Sequence, residues 1–355
     1  MSTSGTGSAP QARPRITIKE IAAEAGVSVP TVSKVLNGHA HVAPATRERV
    51  ESLLERHAYP RRPRKPAAVP ARAGTTGPLI ADLVFPVLDS EWALAVLRGA
   101  ERVAHEAGIG VVVNAFREDE ADQRRWLEQV RARGSAGVVL AVVGLAPAFA
   151  TSVHELGIPV VAVDATGTPH PHAATVGVTN WQGAYTATAH LTELGHRRIA
   201  CIAGRDDLRC SAARVDGYRS ALRAAGLDVD EELILPGDFH AESAEEAALE
   251  LLSGPERPTA VATGNDQQAI GVMRAARRLG IDVPAALSVV GFDDLAAART
   301  SEPPLTTVRQ PVSEMAALAL RMILHHREHG AFEVTQMELA SELVVRGSTA
   351  PPPEG

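Results

Sequence analysis

The sequence predicts a small all-α head joined to a two-lobed α/β body of doubly wound parallel sheets. Three observations predict it. The chain has 355 residues, more than one ordinary domain holds. Its charge is divided: residues 1–72 carry 12 Lys and Arg against 5 Asp and Glu, and the remainder carries 23 against 37. From Leu79 onward, short apolar runs alternate with helical stretches that close on glycines.

The head is read first. Thr17 with Glu20 three residues on forms a capping box that opens a helix with Ile18, Ile21, Ala22 and Ala25 on one face. Gly26 ends it, and Ser28 caps a second helix with Pro30 near its first turn. That helix turns Val32, Val35 and Leu36 inward and Thr31, Ser33, Lys34 and Asn37 outward. A third helix follows Pro44, from Ala45 to His57, with Val50, Leu53 and Leu54 apolar. Two short helices about a glycine turn, completed by a third, make a helix-turn-helix arrangement. Spacing alone fits any three-helix bundle; the concentration of positive charge favours a polyanion as partner.

Composition excludes several classes. At 45% hydrophobic and 22% charged residues the chain has a globular balance. Its longest apolar stretch, Val138 to Ala150, is too short to span a bilayer and contains Pro147. Residues 1–14 form a small, polar tail with no apolar segment, so no secretory signal is expected. Cys201 and Cys210 have neither zinc spacing nor a disulfide framework and fit a reducing, cytoplasmic setting.

In the body, Leu79–Phe85, Gly110–Val113, Val138–Val142, Val160–Val163, Ile199–Ala203, Ala260–Thr263 and Ser288–Phe292 read as buried parallel strands. Gly108, Gly134, Gly157, Gly195, Gly226 and Gly280 stand where helix C-caps belong. Such β-α repetition places ligands at the carboxyl ends of strands.

Several blocks carry a family resemblance. Thr17-Ile18-Lys19-Glu20-Ile21-Ala22, Ala25-Gly26-Val27-Ser28, Thr31-Val32-Ser33-Lys34-Val35-Leu36-Asn37 and Thr46-Arg47-Glu48-Arg49-Val50 resemble the headpiece of the LacI/GalR family of bacterial transcription regulators. Leu194-Gly195-His196-Arg197-Arg198-Ile199, Arg214 with Gly217-Tyr218, Asn265-Asp266 with Ala269-Ile270-Gly271, Val289-Val290-Gly291-Phe292-Asp293-Asp294 and Pro304-Leu305-Thr306-Thr307-Val308 resemble its body. The resemblance implies a periplasmic-binding-protein-like body whose chain crosses three times between lobes, near 177, 307 and 338. The expected division is a tail over 1–14, a DNA-binding head over 15–60, a basic hinge over 61–77 and an effector and dimerisation domain over 78–355. Lobe 1 takes about 78–177 and 308–338; lobe 2 takes about 178–307 and 339–350.

The resemblance also implies site residues. Val29, Pro30 and Lys34 fall where the family reads base edges, and Thr17, Ser28, Thr31, Ser33, Asn37 and His41 where it holds phosphates. Capping is the plain alternative for each Ser and Thr, and Ser28 suits both roles. Tyr59 closes the head. Beyond it the chain departs from the family: Pro63 and Pro66 obstruct a regular hinge helix, and Ala68 or Val69 stands near the expected leucine. Arg61 and Arg62 suit a basic arm that contacts DNA, with a plain Pro-rich spacer as the alternative.

In the body, Asp89-Ser90-Glu91-Trp92 follows the first strand, where the family places its first ligand contacts. Asp89 and Ser90 offer hydroxyl partners and Trp92 an apolar platform, against capping and core filling. Asp164 ends a strand, with a loop-capping role equally open. Arg214 is expected as a fork over ligand oxygens, Asp266 as a polar-edge contact that also caps a helix, and Phe239 as a second platform facing Trp92. Trp181 is a further aromatic candidate. These types suit a sugar, including a di- or oligosaccharide, and also a purine.

The function expected is a repressor of carbohydrate-utilisation genes, a homodimer (or tetramer) on a palindromic double-stranded DNA operator, released by a sugar in the cleft. A purine or other corepressor, a sugar-binding protein without a DNA role and an enzyme are the alternatives. The chain lacks G-x-S-x-G, G-x-x-x-x-G-K-[ST] and H-E-x-x-H, so no catalytic residue, cofactor, metal or membrane partner is expected.

Overall fold

The computed structural model describes residues 18–36, 44–57, 79–85, 88, 90–115, 119–141, 152–164 and 173–353. The chain divides into two compact units, Met1–Ala71 and Arg72–Gly355.

In the first unit, α1 (Ile18–Ala25), α2 (Val29–Leu36) and α3 (Pro44–Arg56) share one core. Ile21, Val32 and Val50 are fully enclosed, one from each helix, as the helical spacing of the apolar positions requires. Helix α1 stops at Gly26, where φ is +64°. The Gly26 N–H reaches Ala23 O at 3.2 Å and the Val27 N–H reaches Ala22 O at 3.0 Å, the paired bonds of a Schellman stop. A Cβ disfavours that left-handed turn, so glycine is what makes it this tight. Ser28 Oγ then accepts the Thr31 N–H at 3.3 Å and opens α2. The expected capping oxygen of α1, on Thr17, lies outside the described residues.

The second unit holds two six-stranded sheets. Sheet A contains β1 (Ile80–Phe85), β2 (Gly110–Ala115), β3 (Val138–Ala141), β4 (Val160–Val163), β5 (Ala174–Val178) and β11 (Gln336–Leu339), all parallel, in the order β11-β5-β4-β3-β1-β2. Sheet B contains β6 (Ile199–Ile202), β7 (Ile234–Leu235), β8 (Ala260–Thr263), β9 (Ser288–Asp293), β10 (Thr306–Arg309) and β12 (Glu342–Val344), in the order β12-β10-β9-β8-β6-β7. Only β12 runs antiparallel there. Helices cover both faces. α4 (Glu91–Ala107) and α11 (Val312–His329) pack on one side of sheet A, and α5 (Glu120–Arg133) on the other. α6 (Asn180–Glu193) and α7 (Arg209–Ala224) cover one side of sheet B, with α8 (Ala241–Ser253) and α9 (Asp266–Arg278) opposite. The alternation along β6 shows the double winding: Ile199 and Cys201 face the first helix pair, Ala200 and Ile202 the second. A short helix, α10 (Ala296–Thr300), follows β9.

The six glycines expected as caps all take positive φ, between +64° and +101°. Two strand readings change. Gly110–Val113, expected to be buried, belongs to an edge strand whose positions are half-buried or exposed, because β2 has a neighbour on one side only. β5, β10, β11 and β12 add strands at or near the hinge; β11 reads Gln-Met-Glu-Leu, an exposed edge with no apolar run to announce it.

The chain passes between the sheets after Val178, after Arg309 and after Leu339. Each passage comes one or two residues beyond the expected position, because those residues still complete ladders. The passages are tied together: Thr179 Oγ1 and Ser341 Oγ lie 2.9 Å apart, and the Thr179 N–H donates to Leu339 O at 3.0 Å. Among the described residues, no helix is long and apolar enough to cross a membrane.

Candidate functional site

The carboxyl ends of the strands converge where the two sheets face each other across the hinge. From lobe 1, Asp164 follows β4 and is 7% exposed, with φ +53°. From lobe 2, Arg214 rises from the second turn of α7, Asp266 begins α9 after β8, and Asp293 ends β9. Two buried carboxylates, Asp164 and Asp293, thus flank the guanidinium, and Asp266 lies near Asp293.

Arg214 is 6% exposed and extensively held. Its Nε donates to Asn180 Oδ1 at 2.8 Å, one Nη donates to Gly264 O, and Asp293 Oδ1 lies 3.9 Å away. The guanidinium carbon stands 3.7 Å from the centroid of the Phe292 ring and 5.9 Å from that of Phe239. Asn180, at the start of α6, also donates to Asp164 Oδ1 at 3.3 Å, so one amide links the carboxylate of lobe 1 to the arginine of lobe 2.

Asp266 accepts the Thr307 hydroxyl at 2.5 Å and the Leu295 N–H at 2.9 Å. The helix itself is capped one residue earlier, where Asn265 Oδ1 accepts the Gln268 N–H at 2.9 Å. Asp266 therefore braces the loop after β9 instead of serving as the cap expected of it. Asp293 accepts from the amide of Gln310, which sits at the second passage between the lobes. Asp294 is neutralised separately: Arg309 Nε donates to it at 2.7 Å, Arg346 reaches its other oxygen at 2.5 Å, and Arg299 lies 3.7 Å off.

Burial dominates the electrostatics. It raises Asp164, with Arg214 and the Asn180 amide opposing. It raises Asp266 too, assisted by the nearby charge of Asp293 and opposed by the Thr307 hydroxyl and Leu295 N–H. Asp293 is pushed up to about 7, since burial outweighs Arg214 and the Gln310 amide. Each of the three is therefore harder to ionise in the fold than in water, and at Asp266 the charge of Asp293 adds to the effect of burial. Cys210, at the second position of α7, is buried and its thiol pushed up to about 12, which makes it an inert side chain rather than a nucleophile.

The aromatic candidates separate. Phe239 has φ +71°, and its ring lies so close to Gly204 that a Cβ there would sit 1.9 Å from Cζ. It belongs to the cluster around Arg214. Trp92 is half-buried against the core of lobe 1. Trp181 stacks on Tyr185 with 5.2 Å between ring centroids and remains 42% exposed. Ser90 Oγ accepts the Ala93 N–H at 3.1 Å and so caps α4. Beside it, Glu91 Oε2 accepts the Ala297 N–H of α10 at 3.2 Å, a direct bond from lobe 1 to lobe 2. Asp89 lies outside the described residues.

Residue-by-residue reading missed Asn180, Glu91, Asp293 and Gln310 as participants. Asp293 stood in a quoted block and Asn180 directly after a strand, which is the signal that could have found them. Gln268 also belongs here. Its Nε2 donates to Ala203 O at 2.7 Å, and its Oε1 is buried without a protein partner, as is Gln310 Oε1.

In the head, Ser28 is exposed, Thr31 half-buried and Val29 39% exposed on the first turn of α2. Pro30, Ser33 and Lys34 lie within α2, but their side chains are outside the described set, as are Thr17, Asn37, His41, Tyr59, Arg61 and Arg62 altogether. The Ser28 and Thr31 hydroxyls lie 2.8 Å apart.

Residues 17–61 match the family described as bacterial regulatory proteins, lacI family, and residues 188–349 match the periplasmic binding protein-like domain. The chain is similar to the HTH-type transcriptional repressor CytR of Escherichia coli (strain K12), 30% identical over 334 residues that cover 94% of this chain and 96% of that one. It is similar to the ribose operon repressor of the same organism, 32% identical over 347 residues, covering 94% and 99%. Of solved structures, the transcriptional regulator CelR–cellobiose complex matches with TM-score 0.70 at 30% identity, over 94% of this chain and all of that one. The lac repressor dimer bound to operator and the anti-inducer ONPF matches with TM-score 0.69 at 26% identity, over 95% and 100%.

Proposed function

Because this chain belongs to the lacI family of bacterial regulatory proteins, a family of DNA-binding transcriptional regulators and not of enzymes, we propose that it represses carbohydrate-utilisation genes until a sugar enters the cleft of its body. The observation that carries the ligand half of this reading is the meeting of Asp164 from lobe 1 with Arg214, Asp266 and Asp293 from lobe 2, at strand ends beside the hinge. Carboxylates and a guanidinium hold a hydroxyl rim, and Phe239 and Trp92 offer apolar faces to a ring. A cellobiose complex as a structural relative favours a di- or oligosaccharide.

The effector set is Asp89, Ser90, Trp92, Asp164, Arg214, Phe239 and Asp266, to which Asn180 and Asp293 are added. Gln310 bonds to Asp293 at a passage between the lobes, so a ligand that draws on Asp293 acts directly on the hinge. Closure shifts the lobe segments that lead to the linkers of a homodimer and changes the spacing of its heads on a palindromic operator. A coupling of roughly 1–3 kcal/mol suffices. In the head, over 15–60, Val29, Pro30 and Lys34 read base edges, and Thr17, Ser28, Thr31, Ser33, Asn37 and His41 hold phosphates. Tyr59, Arg61 and Arg62 lead into the basic linker over 61–77, and the effector domain takes 78–355. The protein works in the cytoplasm, where its DNA lies.

A thermal-shift panel of mono- and oligosaccharides, with cellobiose first and purines included, tests the ligand half. A saturable shift from a sugar, and release of operator DNA by the same sugar, are expected. A shift from purines alone replaces the sugar with a corepressor-type ligand. Selection of binding sites by the parent chain and by Lys34→Ala tests the head. The variant should relax preference at one position of each half-site, and an unchanged preference removes Lys34 from base reading.

A further inference from the structure

The polar groups of the cleft are unevenly divided between donors and acceptors. Glu91, Asp164, Asp266 and Asp293 bring four carboxylates to it, and Gln268 and Gln310 each add a buried oxygen without a protein partner. Gln268 Oε1 belongs to the same place as Arg214. A Cβ at Gly264 would sit 2.6 Å from that oxygen, and the Gly264 carbonyl is the one that accepts from Arg214.

Among the described residues one buried cation faces these acceptors, Arg214, and it gives two of its N–H groups to Asn180 and Gly264. The other arginines described near the strand ends are committed too. Arg309, Arg346 and Arg299 gather on Asp294, and Arg205 donates twice to Asp207, at 2.9 and 2.7 Å. Arg209 has partners of its own. The two glutamine oxygens without a partner call for a ligand that donates, and the charge that the buried carboxylates do carry disfavours an anion beside them.

Resting on the cleft as the effector site proposed above, we propose that it selects uncharged, hydroxyl-donating ligands and rejects phosphorylated or carboxylated ones. A hydroxyl donates to a carboxylate or to Gln268 Oε1 and still accepts from elsewhere. A phosphate monoester is mostly a dianion at about pH 7 and then only accepts, so it leaves those oxygens unpaired and adds negative charge beside the carboxylates. The specificity is therefore built from repulsion as well as attraction.

The test is calorimetric titration of the full chain with matched pairs: glucose and glucose 6-phosphate, ribose and ribose 5-phosphate, cellobiose and its phosphorylated form, and, for the purine alternative, adenosine and its monophosphate. In any pair that binds, the uncharged member should bind at least about tenfold tighter. The gap should narrow in Asp293→Asn and, where that variant folds poorly, in Glu91→Gln, which keeps an acceptor for Ala297 but loses the charge. Equal or tighter binding of a phosphorylated member overturns the charge rule and leaves the sugar reading standing. Preference for the uncharged nucleoside with no sugar bound overturns the sugar reading and supports the charge rule. A gap unchanged in both variants removes the carboxylates as its cause, and silence from every pair counts against both readings.

Discussion

Asp293 shows how much a single residue combines in this body. It ends β9 with φ +123°, accepts from the hinge residue Gln310 and stands 3.9 Å from Arg214. Its carboxyl is raised from 3.8 to about 7 by burial. The folded chain therefore holds this proton over a range where the unfolded chain has lost it. Stability falls as pH climbs from about 4 to about 7 and is not regained above. Asp164 and Asp266 are raised for the same reason and act in the same direction. Melting temperatures measured between about pH 5 and pH 8 check this: the difference between Asp293→Asn and the parent should move in favour of the variant as pH rises, and a constant difference contradicts it. Asp266→Ala should abolish the effector response and leave DNA binding intact. It also strands the Leu295 N–H and the Thr307 hydroxyl, at a cost of about 1–3 kcal/mol, read from denaturant unfolding. Arg214→Ala should lose the same response, and a normal ligand-induced release of DNA by either variant removes that residue from the site.

At the scale of elements, helix pairs meet through glycine. A Cβ at Gly217 of α7 would come 2.3 Å from Trp181 O and 2.9 Å from Tyr185 N, both backbone atoms of α6. Gly217→Ala must therefore push two helices apart, and the expected loss is roughly 1–3 kcal/mol in chemical denaturation of the body. Because Asn180 begins α6 and Arg214 belongs to α7, the same shift should weaken effector binding; an unchanged affinity would separate the helix contact from the site. In the head, Ser28→Ala removes the acceptor for the Thr31 N–H and should cost about 1 kcal/mol. Unfolding read in the absence of DNA isolates that capping role from any role at phosphate. These elements were legible because their signals are local. Gly26 and the six body glycines mark helix ends, and Ile21, Val32 and Val50 repeat at helical spacing. β11 and β12 escaped because short, polar edge strands bury little and carry no such pattern.

At the scale of the whole molecule, charge is divided along the chain, positive over 1–72 and negative beyond. Operator binding should therefore depend steeply on salt, losing on the order of a thousandfold or more between 50 and 200 mM if six or more phosphates are contacted. Filter binding or fluorescence anisotropy across that range checks it, and a flat salt dependence argues against the basic head as the DNA contact. The acidic cleft should leave that slope unaltered, so Arg214→Ala and the parent should give parallel salt plots.

The sequence by itself determined the helix-turn-helix head and the alternating strands and helices of the body, because each rests on neighbours within a turn or two, while the candidate site residues came from the family resemblance. Only the tertiary structure decided which polar groups act together. Glu91 and Ala297 lie 206 positions apart, and Asn180 joins Asp164 to Arg214 across the hinge. It also decided that Gln268 Oε1 and Gln310 Oε1 stay unpaired, since whether an oxygen is paired depends on every group packed around it and not on its own place in the chain. Capping, core packing and hinge bonding assign those partners only once both lobes are folded and face each other.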